Sequence, residues 1–174
     1  MAKLKGKQIY LRALEQKDLN FLYELENNTE VWEVSGTITP FSKDVLQLYL
    51  DNAHRDIYDV KQLRLVICTN EHKSVGLIDV FDFDPNHRRA GIGIIVLDEN
   101  QRNKGIGAEA ITLLCDYLFD VLGLKQVYAN ILEENAPSLH LFKKLNFETV
   151  GIKKDWVRFK NTFKNELLLQ KINN

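Results

Sequence analysis

The chain has 174 residues, 45% of them hydrophobic and 27% charged, with a formal net charge of −1. That length fits one ordinary domain, 1–174, which buries roughly 70% of its unfolded surface and needs no disulfide staple. That net charge by itself says nothing about partners; no nucleic-acid partner is expected, and no apolar run approaches the length of a membrane span, so no membrane partner is expected.

Cys68 and Cys115 sit in the apolar runs Leu-Val-Ile-Cys and Leu-Leu-Cys without metal-ligand spacing. They read as buried free thiols in a reducing compartment, and no metal is expected. The basic start, Met-Ala-Lys-Leu-Lys-Gly-Lys, leads to Gln8 and Tyr10 rather than to an apolar signal core, which predicts a cytoplasmic protein. Charge is unevenly spread. Between Asp18 and Asp59 nine acidic residues stand against Lys43 and Arg55, a net of −7, while the remainder carries +6. Such asymmetry can steer a cation, or it can be the solvent face of amphipathic helices.

Ile9–Leu14 alternates and predicts a first strand. Lys17–Glu26, with Leu19, Leu22 and Leu25 at helical steps, predicts a helix that Asn27-Asn28-Thr29 ends. Ser42 is placed to cap a second helix carrying Val45, Leu46, Tyr49 and Leu50. Strands then follow over Leu63–Thr69 and Ser74–Phe83, joined by the hairpin loop Asn70-Glu71-His72-Lys73, and over Arg89–Leu97, which contains Gly91 and Gly93. Ile106–Val121 is the clearest helix, with Ile106, Ala110, Leu113, Leu114, Tyr117, Leu118 and Val121 on one stripe and Gly123 at its end. After a strand at Gln126–Ile131, Asn135 can cap a short helix with Pro137 in its first turn and Leu139, Phe142 and Leu145 on one face. Thr149–Phe159 and Thr162–Lys171 make a final hairpin about Lys160-Asn161. This order predicts an α+β or α/β hybrid, a mixed sheet crossed by helices.

The chemistry concentrates between Arg89 and Val121: a strand, a loop with Gly105 and Gly107, then a long helix. A helix N-terminus offers unpaired N–H groups and the positive end of its dipole, and glycines let a bulky anion approach them. Arg102 and Lys104 add charge, so the segment can cradle a pyrophosphate. A nucleotide P-loop would need four residues between its glycines and a following Lys-Ser/Thr. The dinucleotide fingerprint would want a third glycine where Ala110 stands.

Thirty residues on lies Asn135-Ala-Pro-Ser138-Leu-His-Leu-Phe142-Lys-Lys-Leu-Asn146-Phe147. Together with Arg102-Asn103-Lys104-Gly105-Ile106-Gly107, it resembles the GNAT superfamily of acetyl-CoA-dependent N-acetyltransferases. The first segment matches that family's (Gln/Arg)-x-x-Gly-x-(Gly/Ala) coenzyme loop, and the second its Asn-x-x-(Ala/Ser)-x-x-x-Tyr-x-x-x-Gly-Phe segment. Asn27-Asn28 and His87-Arg88-Arg89-Ala90 look most like the spermidine/spermine branch, with the ribosomal-protein N-terminal acetyltransferases close by. The resemblance implies a mostly antiparallel central sheet with helices on both faces, acetyl-CoA as cosubstrate and a small cationic amine as acceptor. It leaves a homo-oligomer open.

The same resemblance assigns roles. Arg102, Asn103, Lys104, Gly105, Ile106 and Gly107 would hold the coenzyme diphosphate, and the backbone of Ile94, Ile95 and Val96 its thioester. Asn135 would fix the coenzyme arm or a water, and Ser138 would do likewise or simply occupy the first turn of its helix; Glu30 or Glu33 would meet the ammonium, and Trp32 would line the acceptor mouth or cover the core. Two positions depart from the pattern: Phe142 replaces the tyrosine that commonly protonates the departing thiolate, and Gly91 replaces an acidic residue. Tyr128 is the replacement acid the sequence offers. Because an alkylamine has a pKa near 10.4, the site must also help remove a proton. Acetylation of a protein N-terminus or an antibiotic amine, and coenzyme binding without catalysis, are the competing expectations.

Overall fold

A computed structural model describes residues 4–97 and 104–174. The strands are β1 (Ile9–Ala13), β2 (Leu63–Thr69), β3 (Ser74–Asp84), β4 (Arg89–Val96), β5 (Gln126–Leu132), β6 (Glu148–Phe159) and β7 (Thr162–Ile172). They form one seven-stranded sheet in the order β1-β2-β3-β4-β5-β7-β6. Neighbours pair antiparallel except β4 and β5, which run parallel. This is the mixed, mostly antiparallel sheet expected.

Successive side chains of a strand point to opposite faces, and β2 shows how that builds two cores. Leu65 and Ile67 join Ile111, Leu114 and Leu118 of α5 (Ile106–Asp120) and Phe142 of α6 (Ala136–Lys144). Val66 and Cys68 join Leu22 and Leu25 of α1 (Leu19–Glu26) and Leu46 and Leu50 of α3 (Lys43–Asp51). Helices therefore cover both faces. Ser42 caps α3 as predicted, its hydroxyl accepting from the Val45 N–H at 3.2 Å. Gly123, at φ +64°, lets the chain turn after α5 so that the Leu124 N–H donates to the Leu118 carbonyl at 3.0 Å. Asn146 takes φ +66° where the family pattern has glycine, the left-handed conformation Asn tolerates.

Four local features differ from the sequence reading. The expected helix from Lys17 begins as a 3-10 turn, Gln16–Asp18, and becomes α-helical at Leu19. Asp18 turns inward there, its carboxylate accepting from Arg12 at 2.7 and 2.8 Å and from the Glu15 N–H at 2.8 Å. Asn28, read as a helix end, is instead the N-cap of an unforeseen helix, α2 (Thr29–Ser35), accepting from the Glu30 N–H at 3.0 Å. A further single turn, α4 (Ile57–Val60), is capped by Asp56. The buried stripe of α5 is also rotated from the one expected: Ile111 and Cys115 are buried, and Val121, beyond the last turn, is half exposed.

Candidate active site

The parallel pairing of β4 and β5 lasts only three residues, Arg89↔Gln126, Ala90↔Val127 and Gly91↔Tyr128. Beyond Gly91, β4 stays with β3 and β5 stays with β7, so the sheet opens between them. The Leu97 N–H donates to the Val75 carbonyl at 2.9 Å, towards β3. Alternation along the strand therefore turns the backbone of Ile94 and Val96 to the gap and that of Ile95 back to β3. A cavity of about 290 Å³ fills the opening, with Ile94, Ile131, Leu132, Asn135, Ser138 and Phe142 in its wall.

The start of α5 stands beside this gap. Gly105 is its N-cap at φ +82°, a conformation that costs other L-residues roughly 1–2 kcal/mol. Gly107 answers a different need: a Cβ there would lie 3.1 Å from Leu141 Cδ2 and 4.0 Å from Ile94 Cδ1, so its absence lets α5 close on α6 and β4. The first-turn N–H groups of α5, including those of Ile106 and Gly107, have no partner within the helix. Lys104 is exposed next to them. The Glu109 carboxylate, also in this first turn, accepts from the backbone N–H groups of Lys7 and Gln8 and straps the start of the chain to the helix. Arg102 and Asn103 lie outside the described residues.

Asn135 has two functions in one side chain. Its Oδ1 accepts from the Ser138 N–H at 3.3 Å, capping α6, while the residue lines the cavity next to Ser138. Phe142 reaches the cavity from the same helix and packs edge-on against Phe147, ring centroids 5.0 Å apart. Tyr128 belongs to the last β4–β5 pair, before the sheet opens, and does not line the cavity. Its hydroxyl donates to Asp82 at 3.4 Å. Burial, reinforced by the Asp82 charge, raises its pKa, so the phenol stays protonated at neutral pH.

The acceptor residues divide. Glu33 lines the cavity and pairs with Lys164, which also reaches Glu134. Glu30, on the same helix, is exposed and outside the cavity wall. Trp32 is also outside it: its Nε1 donates to the Glu26 carbonyl at 2.8 Å and ties α2 to α1. The acidic segment is thus largely committed to structure. Asp18 holds Arg12, Asp56 caps α4, and Asp59 meets Arg55 at 2.8 Å.

Several cavity residues were missed in the sequence. Arg64 of β2 and Asp79 of β3 are direct cross-strand partners, joined by two bonds of 2.7 and 2.9 Å, and Arg64 also reaches Glu26 at 2.5 Å. Opposite charges within two adjacent apolar strands were the available signal, since such residues are buried only when paired. Gly91 is explained by its partner Phe81: a Cβ at 91 would fall 2.1 Å from the Phe81 ring, which lies edge-on to Tyr128. Where the family pattern carries an acid, an aromatic ring covers the strand. The cationic run His87-Arg88-Arg89 lies at the other end of β4 from the gap. There Arg88 donates to the Gly123 carbonyl at 2.7 Å and Arg89 faces Asp84 at 3.6 Å.

Residues 8–148 match the acetyltransferase (GNAT) domain family. The spermidine N(1)-acetyltransferase of Escherichia coli (strain K12) is 33% identical over 143 residues, covering 82% of this chain and 74% of that protein. The Vibrio cholerae enzyme of the same name is 32% identical over 144 residues, covering 83% and 81%. A crystal structure of the spermidine N-acetyltransferase from Vibrio cholerae in complex with CoA and spermine superposes with a TM-score of 0.86 at 26% identity, over 96% of each chain. A dodecameric structure of the Vibrio cholerae enzyme matches with a TM-score of 0.79 at 26% identity, covering 96% of this chain and 95% of that one.

Proposed function

We propose that this chain, which belongs to the GNAT acetyltransferase family, acts as one domain to move the acetyl group of acetyl-CoA onto a primary amine of a small polycation such as spermidine. The observation that carries the reading is the gap between β4 and β5, which joins an apolar slot at α6 to the carboxylates Glu33, Glu26, Asp79 and Glu166 in one cavity wall. The N-terminus of α5 stands beside this gap, a Cβ at Gly107 falling 4.0 Å from Ile94 Cδ1, so that an anion cradle and a wall of carboxylates would flank one opening.

The diphosphate of the coenzyme would rest on the first-turn amides of α5, with Arg102, Asn103 and Lys104 supplying charge and contacts. Gly105 and Gly107 keep that turn open. The acyl arm then enters the gap, where the backbone edge at Ile94–Val96 holds the thioester and polarises its carbonyl. The neutral amine nitrogen attacks that carbon, the C–S bond breaks, and the thiolate takes a proton. A carboxylate of the cavity wall, acting through water, removes the proton from the incoming ammonium. Asn135 keeps its amide N–H groups for the coenzyme arm or a water, because its oxygen is committed to the helix cap. Ser138, one turn on, orients the same water, which relays to the thiolate the proton that the acylated nitrogen gives up, in place of the phenol that Phe142 lacks.

A cytoplasmic location accords with the buried free thiols Cys68 and Cys115. Among the described residues no helix is long and apolar enough to cross a membrane. Self-association also belongs to this reading, supported by the exposed apolar side chains Val150, Ile152 and Trp156 on the edge strand β6.

The test is acetyl-CoA-dependent thiol release against a panel of diamines, spermidine, spermine, N-terminal peptides and aminoglycosides. The aliphatic di- and polyamines should give a higher kcat/KM than the peptides and aminoglycosides. Release with peptides alone would move the acceptor to protein N-termini. Coenzyme binding with no release for any amine would mark a binding module.

A further inference from the structure

A second cavity, of about 470 Å³, lies on the other side of the Arg64 cluster, roofed by Phe41, Val45 and Tyr49. The two cavities share a wall: Glu26, Ser35, Arg64, Asp79 and Phe81 line both. Arg64 is the centre of that partition. Its guanidinium spans Asp79 on β3 and Glu26 on α1, and Tyr49 of α3 stacks over it at 5.7 Å. The arginine side chain is 24% exposed and Glu26 only 12%, so the pair stands within the wall rather than on the surface.

Resting on the amine-acetylation reading above, we infer that Arg64 is a specificity-determining residue: a resident cation that ends the acceptor groove and occupies the diacid a distal ammonium would otherwise take. Glu26 and Asp79 come from different elements and converge on one positive group. Without the guanidinium, two carboxylates would face a passage between the cavities, an arrangement that fits the far ammonium of a long polyamine. With it, one positive charge is shared between the two acids, and the guanidinium fills the place between them. Glu33 and Glu166 are then the remaining cavity carboxylates, and each already has a lysine at hand, Lys164 and Lys153. Lys164 and Lys153 meet these acids through a single rotatable ammonium, which can turn to a new partner as a substrate cation enters. A guanidinium held by three bonds to two acids cannot do so without leaving buried charge unpaired. The acceptor class is therefore a short diamine, or the aminopropyl end of a triamine, in preference to spermine.

The experiment compares kcat/KM for spermine with that for 1,3-diaminopropane in the wild type, in Arg64→Leu and in the charge-neutral variant Arg64→Leu/Glu26→Gln/Asp79→Asn. Arg64→Leu should raise the spermine-to-diamine ratio by about tenfold, through KM rather than kcat. The neutral variant, with the passage open but no diacid, should show no such rise. A ratio unchanged in Arg64→Leu, or raised equally in both variants, overturns the inference while leaving polyamine acetylation standing. A wild type that binds CoA but acetylates no amine overturns both. Should Arg64→Leu lose turnover, thermal melting decides: spermine must raise its Tm more than it raises that of the wild type, because a ligand stabilises the state it binds. An equal or smaller rise refutes the role.

Discussion

Phe142 shows how one side chain can be read correctly for packing and still leave the chemistry open. Its place in the stripe of α6 was legible from spacing, and it is buried against Phe147. That it also lines the reaction cavity came only from the coming together of α6 and the β4–β5 gap. Phe142→Tyr should therefore put a phenol within the slot and raise kcat by on the order of tenfold, a modest share of what general acids supply. Thiol-release kinetics check it, and an unchanged kcat would mean that protonation of the thiolate does not limit turnover.

Asp18 is the opposite case, an acid whose residue type suggested solvent and whose environment is interior, at 3% exposure. Burial pushes its pKa up, but the Arg12 hydrogen bonds and the Glu15 N–H outweigh it and hold the carboxyl below its ordinary value. A carboxylate depressed in the fold stabilises the protein above its unfolded pKa and loses that contribution as pH falls through the folded one. Asp18→Asn should thus cost about 3 kcal/mol at neutral pH, the penalty of stranding a paired buried charge. The gap to wild type should close below the usual carboxylate range in urea titrations at stepped pH.

At the level of elements, strands and long helices were legible because each carries its period over many residues, as α5 does through Ile106, Ala110, Leu114 and Leu118. The shortest helices, α2 and α4, were not. In α2, seven residues give too few turns for a period to show, and Asn28 serves as a stop signal and an N-cap alike. The proposed coenzyme cradle belongs to this scale, since it would be a property of a helix end rather than of any side chain. Gly105→Val forces a β-branched residue into φ +82° and presents a side chain where the anion would lie. Calorimetry should find CoA affinity reduced at least tenfold, with circular dichroism unchanged. Undiminished affinity would place the diphosphate elsewhere.

For the molecule as a whole, the question is whether charge steers the acceptor. The front segment carries −7 in sequence, yet its acids are mostly engaged by Arg12, Arg55, Arg64, Lys164 and helix caps. Attraction should therefore come from the cavity wall rather than from a diffuse field. Raising salt from about 0.1 to 1 M shortens the screening length from about 10 to 3 Å. The KM for spermidine should rise several-fold across that range while kcat holds. A KM indifferent to salt would show that the acceptor is not bound as a cation.

The sequence by itself determined the succession of strands and longer helices, the glycine-opened start of α5 and the Asn135 cap. Each of these follows from local rules: periodicity, left-handed turns and side-chain bonds to nearby N–H groups. Only the tertiary structure decided where β4 leaves β5, that Arg64 and Asp79 stand in a shared wall, that Phe81 takes the room Gly91 provides, and that Glu33 but not Glu30 reaches the cavity. Those depend on register and on which elements meet across long stretches of chain, and a pairing between distant residues leaves no periodic trace in either segment alone.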